Sequence, residues 1–334
     1  RDHLKKITTA GSCGIPLTVY LRQKEFDRNN LIWARASLAN GQRLFGKTAY
    51  LKYSLPPVFW FEKLGIWKKI IIPIQDETAQ KINNLRKTKP EIIRGNAFEL
   101  VELSRYILEN NIKDIKFERI FSMGSLLDRN ARITLEKAFQ AEVFDCYAAT
   151  ESGLIAWECS EHKGYHINLD AVVVEIVNKN RPAIPGEPGR IICTNLNSHS
   201  MPFIRYDLGD IGILSSESCP CGRKLPLLKS IEGRADDFFI DEKGKLHSPS
   251  NIVNRLKTIS GIKEFKLIQN DLNRIKAQIV TDKNFSPETS QQIKSVLREI
   301  MGKNLKIRID LLSGIPRDPE KKIRSMISYV QKDL

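Results

Sequence analysis

The alternation of short apolar runs with helical periodicity constrains this chain most. "TAQKINNLRKTKPEIIRG" reads as a helix followed by a short strand around Glu91 to Arg94. "FELVELSRYILENN" then gives an amphipathic helix with Leu100, Leu103, Ile107 and Leu108 on one stripe. "FERIFSMG" reads as a strand, "LLDRNARITLEKAF" as a helix and "AEVFDCY" as the next strand, buried over Ala141 to Cys146. Strand, helix, strand in this rhythm predicts a parallel α/β sheet.

From Gly164 to about Leu228 the texture changes to short strands and Pro/Gly turns, as in "EIVNKNRPAIPGEPGRIICTNL". After "EGRADD" the pattern resets to helix (Pro249 to Ile259), strand (Glu264 to Gln269), strand (Arg274 to Thr281), helix (Pro287 to Met301) and strand (Lys306 to Leu311). The expectation is a large domain over residues 1–235, with a small β subdomain at about 160–230, and a separate small α+β domain over 236–334. No internal repeat or low-complexity tract interrupts this plan.

The 334 residues, 41% hydrophobic and 28% charged, exclude disordered and fibrous classes. The longest apolar runs, "KIIIPI" and "AVVVEIV", are far below the ~20 residues that span a bilayer. The opening "RDHLKKITTAG" has neither an initiator Met nor the apolar core of a signal peptide, so a longer polypeptide with sequence upstream of Arg1 is expected. The net charge of +14 comes from 53 Lys and Arg spread along the whole chain, without the basic runs or aromatic interleaving of a nucleic-acid-binding segment. A solvated basic surface or an anionic ligand accounts for it. Six cysteines in a chain of this size point to a reducing cytoplasm, with some of the thiols committed to metal.

Five constellations carry chemistry. "ITTAGSCGIPLTVY" concentrates Thr8, Thr9, Gly11, Ser12 and Gly14 in one loop, whose N–H groups could wrap a phosphate or simply make a polar turn. In "MPFIRYDLGDIG" two aspartates flank a glycine; such carboxylates can grip paired sugar hydroxyls or cap a β-turn. "IEGRADDFF" is either a linker turn or a hinge whose Arg234 reaches a cleft. Cys159, His166, Cys219 and Cys221 form a complete Cys3His set of the kind that closed structural zinc sites use; the bland reading is buried thiols and a surface histidine. Cys146 and Cys193 sit in apolar strands as packing residues. Lys321, Lys322 and Arg324 in "SGIPRDPEKKIRSMISYV" suit a solvated basic turn, or a point charge on a polyphosphate.

Taken together, "TTAGSCGIPL", "YAATESG", "RYDLGD", "GRADD" and "PRDPEKKIR" stand in the order and approximate spacing of the adenylate-forming ligases. "ECSEHKGYH", "MPFIRYDLGD" and "CPCGRKLP" resemble in particular the phenylacetate-CoA ligase branch, whose relatives include capsule-biosynthesis proteins and adenylyltransferases of the factor-390 synthetase type. The resemblance covers almost the whole chain, apart from the family's first subdomain. It implies a parallel-sheet large domain with a small β subdomain and a mobile, ferredoxin-like C-terminal domain. Tyr147 would stack on adenine, Thr150 would bond the α-phosphate and Glu151 would hold Mg2+. Asp210 matches the ribose ligand, Arg234 the hinge-side arginine and Asp236 the pivot, while Thr9, Gly11, Ser12 and Gly14 match the phosphate loop. Spacing from Pro316 favours Lys322 over Lys321 as the active lysine.

Several positions depart from the family pattern. Ala10 and Cys13 replace hydroxyl residues, Ile15 replaces a common lysine, Ala148 replaces a glycine and Ser125 a frequent glutamate. The implied reaction is ATP-dependent activation of a small, aryl or other organic, carboxylic acid through an acyl-adenylate, followed by thioester formation with CoA. ATP, Mg2+, CoA and a structural Zn2+ are the implied cofactors, with neither nucleic acid nor membrane as partner and a homodimer left open. An adenylyltransferase without the CoA step, a catalytically weak scaffold of the same fold and, more distantly, a zinc-stabilised nucleic-acid-binding protein are the rivals.

Overall fold

The computed structural model describes residues 4–8, 17–52, 60–315 and 325–330. The phosphate-loop candidates Thr9, Gly11, Ser12 and Gly14 and both candidate lysines, Lys321 and Lys322, lie outside the described residues.

The expected strand and helix rhythm builds a parallel sheet. Lys69–Pro73, Thr48–Lys52, Ile92–Asn96, Arg119–Met123 and Glu142–Ala149 lie side by side, every neighbour parallel. Three helices, Thr78–Thr88, Ala97–Glu109 and Arg129–Phe139, cover one face with Ile82, Leu85, Leu100, Leu103, Ile107, Leu135 and Phe139. Each fully buried aliphatic side chain of this kind contributes ~1.5–3 kcal/mol. Leu108 departs from the stripe: it is 37% exposed while Leu100 and Ile107 are at 0% and 1%. Eight residues after Leu100 it has drifted round the helix, away from the sheet. On the other face lies the helix Gln23–Ala39, which packs Ile32 and Ala36 against Phe121, Phe144 and Leu154.

Strand direction then reverses without a break in the ladder. Gly153–Glu158 pairs antiparallel with Glu142–Ala149, and Tyr165–Ile167, Leu227–Arg234, Tyr206–Leu214, Pro188–Asn195, Val172–Asn178 and Arg181–Pro182 follow in that order to complete a twelve-stranded sheet. The Pro/Gly-rich texture thus marks antiparallel connections at one end of that sheet.

Beyond the short turn Ala235–Asp237 the chain builds a core of its own. Ile262–Asp271 and Arg274–Thr281 are antiparallel, flanked by Lys306–Leu312 and Met326–Ser328 in parallel pairing. Helices Pro249–Leu256 and Pro287–Met301 lay Ile252, Leu256, Ile293, Leu297 and Met301 on this four-stranded sheet, the ferredoxin-like arrangement. The first of them stops at Leu256 rather than Ile259, where Thr258 turns its hydroxyl back to the carbonyl of Arg255. Lys257 Nζ reaches Asp128 Oδ2 of the large sheet region at 2.6 Å. Among the described residues no helix is long and apolar enough to cross a membrane.

Candidate active site

In a parallel sheet the crevice lies at the carboxyl ends of the strands, where loops leave for the covering helices. Three adjacent strands end there with Asn96, with Met123 and Gly124, and with Tyr147 to Ala149. Asn96 caps its helix by accepting from the Phe98 N–H at 3.0 Å and also accepts from Ser125 Oγ at 2.6 Å. Ser125, in the place of a frequent family glutamate, is thereby fixed at the crevice. Thr150, Glu151 and Ser152 form the turn between the last parallel strand and its antiparallel partner. Thr150 and Glu151 are half-buried in it.

The two aspartates of "RYDLGD" do different work. Asp207 Oδ1 accepts the Gly209 N–H at 2.8 Å, and its other oxygen pairs with Arg190, so this carboxylate shapes the turn. The register of Pro188–Asn195 against Tyr206–Leu214 shifts between Arg190 and Ile192, and the extra residues on the facing strand form a bulge that carries Asp210. There Asp210 Oδ2 accepts from Tyr147 Oη at 2.8 Å, and Oδ1 lies 3.5 Å from Arg234 Nη1. Arg234 also donates to the Leu208 carbonyl at 2.6 Å. This close approach needs Gly209: its φ is +71°, and a Cβ there would stand 2.6 Å from Arg234 Nη2. The hydroxyl end of the half-buried Tyr147 is desolvated beside the Asp210 carboxylate, and both effects raise its pKa well above the ordinary tyrosine value. It is a neutral donor at every physiological pH.

Glu151 belongs to the same group. Tyr206 Oη donates to Glu151 Oε1 at 3.3 Å, and Asn195 Nδ2 donates to the Glu151 carbonyl at 2.9 Å. Thus Tyr147, Asp210 and Arg234 meet directly, and Glu151, in the turn just after Tyr147, is tied through Tyr206 to the strand that carries Asp210, while the exposed Asp236 lies in the turn after Arg234. Tyr206 and Asn195 were missed from sequence. Tyr206 could have been found, since it directly precedes Asp207 in the quoted motif; Asn195 carries no signal beyond a polar residue in an apolar strand.

A buried ion-pair network braces the strand that ends in this site. Both Glu158 oxygens accept from Arg132 Nη2, at 2.8 and 2.6 Å, and Glu158 Oε2 also accepts the Asp145 N–H at 2.8 Å. Burial opposes ionisation of Glu158, but His162 and Arg132 outweigh it and keep the carboxyl below its ordinary range. Asp145 beside it is buried and feels the Glu158 charge, which together push its carboxyl up to about 7. Arg132 and Glu158 stand in different elements, with no spacing in sequence to connect them.

The Cys3His set also comes together. His166 Nε2 lies 3.3 Å from Cys159 Sγ and 3.4 Å from Cys221 Sγ, and the Cys159 and Cys219 sulfurs are 3.6 Å apart. All four ligand atoms fall within 4.8 Å of one another. Tetrahedral bonds of ~2.3 Å to sulfur and ~2.0 Å to nitrogen put ligand edges at ~3.5–3.8 Å, so these residues could hold a metal ion. Burial, with the neighbouring thiols, pushes Cys159 up to about 12, a penalty that a cation at the centre would remove. Burial and the charge of Arg223 lower the His166 pKa, which keeps the imidazole neutral as a ligand must be. Cys146 and Cys193 are buried in strands apart from this set, as expected.

Comparison with known proteins follows the same lines. Residues 239–329 match the CapK C-terminal domain. Protein CapK of Staphylococcus aureus is 27% identical over 259 residues, covering 75% of this chain and 55% of that protein. A phenylacetate-coenzyme A ligase of Thermus thermophilus is 37% identical over 86 residues, 25% of this chain and 19% of the ligase. The matched part of the chain thus spans about half the length of CapK and about a fifth of the ligase. Among solved structures, 2-hydroxyisobutyryl-CoA ligase in the postadenylation state, in complex with an acyl-AMP, superimposes with a TM-score of 0.78 at 19% identity, over 98% of this chain and 74% of that one. The fold is that of the adenylate-forming acyl-CoA ligases, and CapK and a phenylacetate-coenzyme A ligase, the branch that the motifs resemble, are both among the relatives.

Proposed function

We propose that the protein activates a carboxylic acid with ATP and passes the acyl group to the thiol of CoA. A carboxylate oxygen attacks the α-phosphorus, the bond to the β-phosphate oxygen breaks, and pyrophosphate leaves an acyl-adenylate. The thiol sulfur then attacks the acyl carbon, its proton is lost to solvent, and AMP departs. The observation that carries this reading is the meeting of Tyr147 and Arg234 on the two oxygens of Asp210, beside Glu151.

A carboxylate offers about four lone-pair directions. Asp210, oriented by Tyr147 and Arg234, would accept from the vicinal hydroxyls of a ribose. Tyr147 then presents its ring to adenine and its hydroxyl to Asp210, so one side chain orients base and sugar together. Thr150 donates to the α-phosphate, and the N–H groups around Thr9, Gly11, Ser12 and Gly14 hold the polyphosphate. Glu151, with one oxygen accepting from Tyr206, fits a hard cation that prefers few protein carboxylates and several phosphate oxygens. Mg2+ bound there would neutralise the triphosphate. Lys322, with Lys321 as the alternative, supplies the point charge on the α-phosphate oxygens from a mobile domain of residues 236–334 that pivots at Asp236. Catalysis rests on in-line positioning and electrostatic stabilisation.

The Cys159, His166, Cys219 and Cys221 set is a structural zinc site, since four protein ligands leave no open position for a substrate. Zn2+ there would pin the segment after Glu158 to the strands that carry Asp210 and Arg234. A cytoplasmic location agrees with free thiols and soluble substrates. The test is Glu151→Gln in the full-length protein. Acid-dependent pyrophosphate release should fall at least ~100-fold, the scale of a lost transition-state group, with the fold intact. Undiminished release across a Mg2+ titration would remove the assigned role.

A further inference from the structure

Arg94 stands out as a buried cation whose counter-ion is missing among the described residues. It is 5% exposed in the centre of the parallel sheet, on the face covered by the helix Gln23–Ala39. Its Nη2 donates to Ser37 Oγ at 2.7 Å and to Gln42 Oε1 at 3.4 Å, both neutral, and its Nε is buried without a partner. Around it stand the rings of Phe121, Tyr50 and Trp33, at 4.5, 5.6 and 5.7 Å. Cation–π contacts offset part of the desolvation. A buried charge is costly unless it is paired, so a guanidinium with only neutral partners is suited to receive an anion.

Among the described residues the groups that act on this region add positive charge. Lys52, two residues after Tyr50 on the same strand, places its ammonium 5.7 Å from the Tyr50 ring. Desolvation and the charges of Arg94 and Lys69 lower its pKa. Glu62 pairs with Lys69 at 2.9 Å. Residues 53–61, "YSLPPVFWF", which continue the chain from Lys52, contain no acidic side chain at all.

This cation also lies next to the crevice. Arg94 is in register with Phe121, and Phe121 with Phe144, on the strands that lead to Ser125 and to Tyr147. Asn96, which holds Ser125, follows Arg94 by two residues on the same strand face, a rise of ~6.6 Å. The helix that supplies Trp33 also brings Asn29 against Gly153, next to the Thr150–Glu151 turn. Trp33 and Tyr50 are both only half-buried, so the aromatic wall is open on their side.

We infer that Arg94, with Lys52 at the entrance, binds a second carboxylate on the acid to be activated, so that the substrate is a dicarboxylate. This rests on the acid-activating reading above. One carboxylate lies at the α-phosphate and the other against the Arg94 guanidinium, with the carbon skeleton between aromatic rings. A simple monoacid would leave the buried charge unpaired and lose the affinity that the pairing provides.

The experiment separates binding from turnover. Binding of glutarate, adipate and terephthalate, each against its monomethyl ester, is measured by calorimetry on the full-length protein, on Arg94→Met and on Arg94→Lys. At least one diacid should bind ten-fold or more tighter than its ester. Arg94→Met should erase that preference, and Arg94→Lys should restore part of it. Should Arg94→Met fail to fold, Lys52→Met at an exposed position should still reduce the preference about three-fold. Equal binding within all three pairs, or a preference unchanged in every folded variant, would overturn the inference and leave Arg94 as a structural cation in an aromatic cage. A diacid that binds through Arg94 and releases no pyrophosphate from ATP would instead overturn the acid-activating reading alone.

Discussion

Tyr147 donates to Asp210 across 2.8 Å and so ties the last parallel strand to an antiparallel strand 63 residues away in sequence. Tyr147→Phe deletes this donor and leaves the ring. Apparent affinity for ATP should fall by ~3–10-fold, the scale of one ordinary hydrogen bond, since the lost bond orients Asp210 rather than touching the nucleotide, with little change in the rate at saturating ATP. Equilibrium binding of ATP alongside saturation kinetics checks it. A large fall in maximal rate with unchanged affinity would contradict the ribose assignment.

The Cys3His set makes a stability prediction. Purified protein should carry about one equivalent of zinc per chain, and Cys221→Ser should lose metal and thermal stability together. The other three ligands are buried, so a lost ion leaves several thiols and an imidazole unpaired. Metal analysis and a melting curve on the same sample decide it. A protein stripped of metal that melts at the same temperature would reject the site.

A pH dependence follows from Asp145. Its carboxyl is raised from the ordinary 3.8 to about 7, first by burial and then by Glu158. A raised acid binds its proton more tightly in the folded state, so its stabilisation is complete below about pH 4 and is lost as pH rises through about 7. At ~1.4 kcal/mol per pH unit this is on the order of 4 kcal/mol as an upper limit. Glu158, held low, acts in the opposite sense, since its stabilisation is lost on acidification. Asp145→Asn should therefore flatten the fall in stability between about pH 4 and 7 while the acid limb due to Glu158 persists. Denaturation midpoints across that range test it; an unchanged slope would mean that Asp145 is ionised in the folded protein.

Much of this was legible in the sequence because it is local. The helix Pro287–Met301 and the strand Arg274–Thr281 have the bounds expected from the sequence. The Cys3His set and the motif residues Tyr147, Asp210 and Arg234 are conspicuous because their residue types suit few other tasks. What escaped is set by pairing at a distance. Nothing in "EIVNKNRPAIPGEPGRIICTNL" tells that its strands continue the same ladder as Glu142–Ala149, since register depends on partners. The division of labour between Asp207 and Asp210 depends on a bulge, and the meeting of Arg132 with Glu158 depends on how a helix lies on the sheet. Arg94 reads as an ordinary charge in "EIIRGN"; only burial makes it unusual.

The most direct measurement is a rapid-quench single turnover of the full-length protein with ATP, Mg2+ and a panel of carboxylic acids, first without CoA. With a cognate acid, one pyrophosphate should form for each enzyme-bound acyl-adenylate, and later addition of CoA should convert that adenylate to thioester and AMP. Lys322→Ala should slow the first step by ~100-fold or more and leave thioester formation from chemically prepared acyl-adenylate near the wild-type rate. Loss only in Lys321→Ala would reassign the lysine. Production of ADP and phosphate, or the absence of pyrophosphate with every mono- and dicarboxylic acid tried, would contradict adenylate formation as the function of this protein.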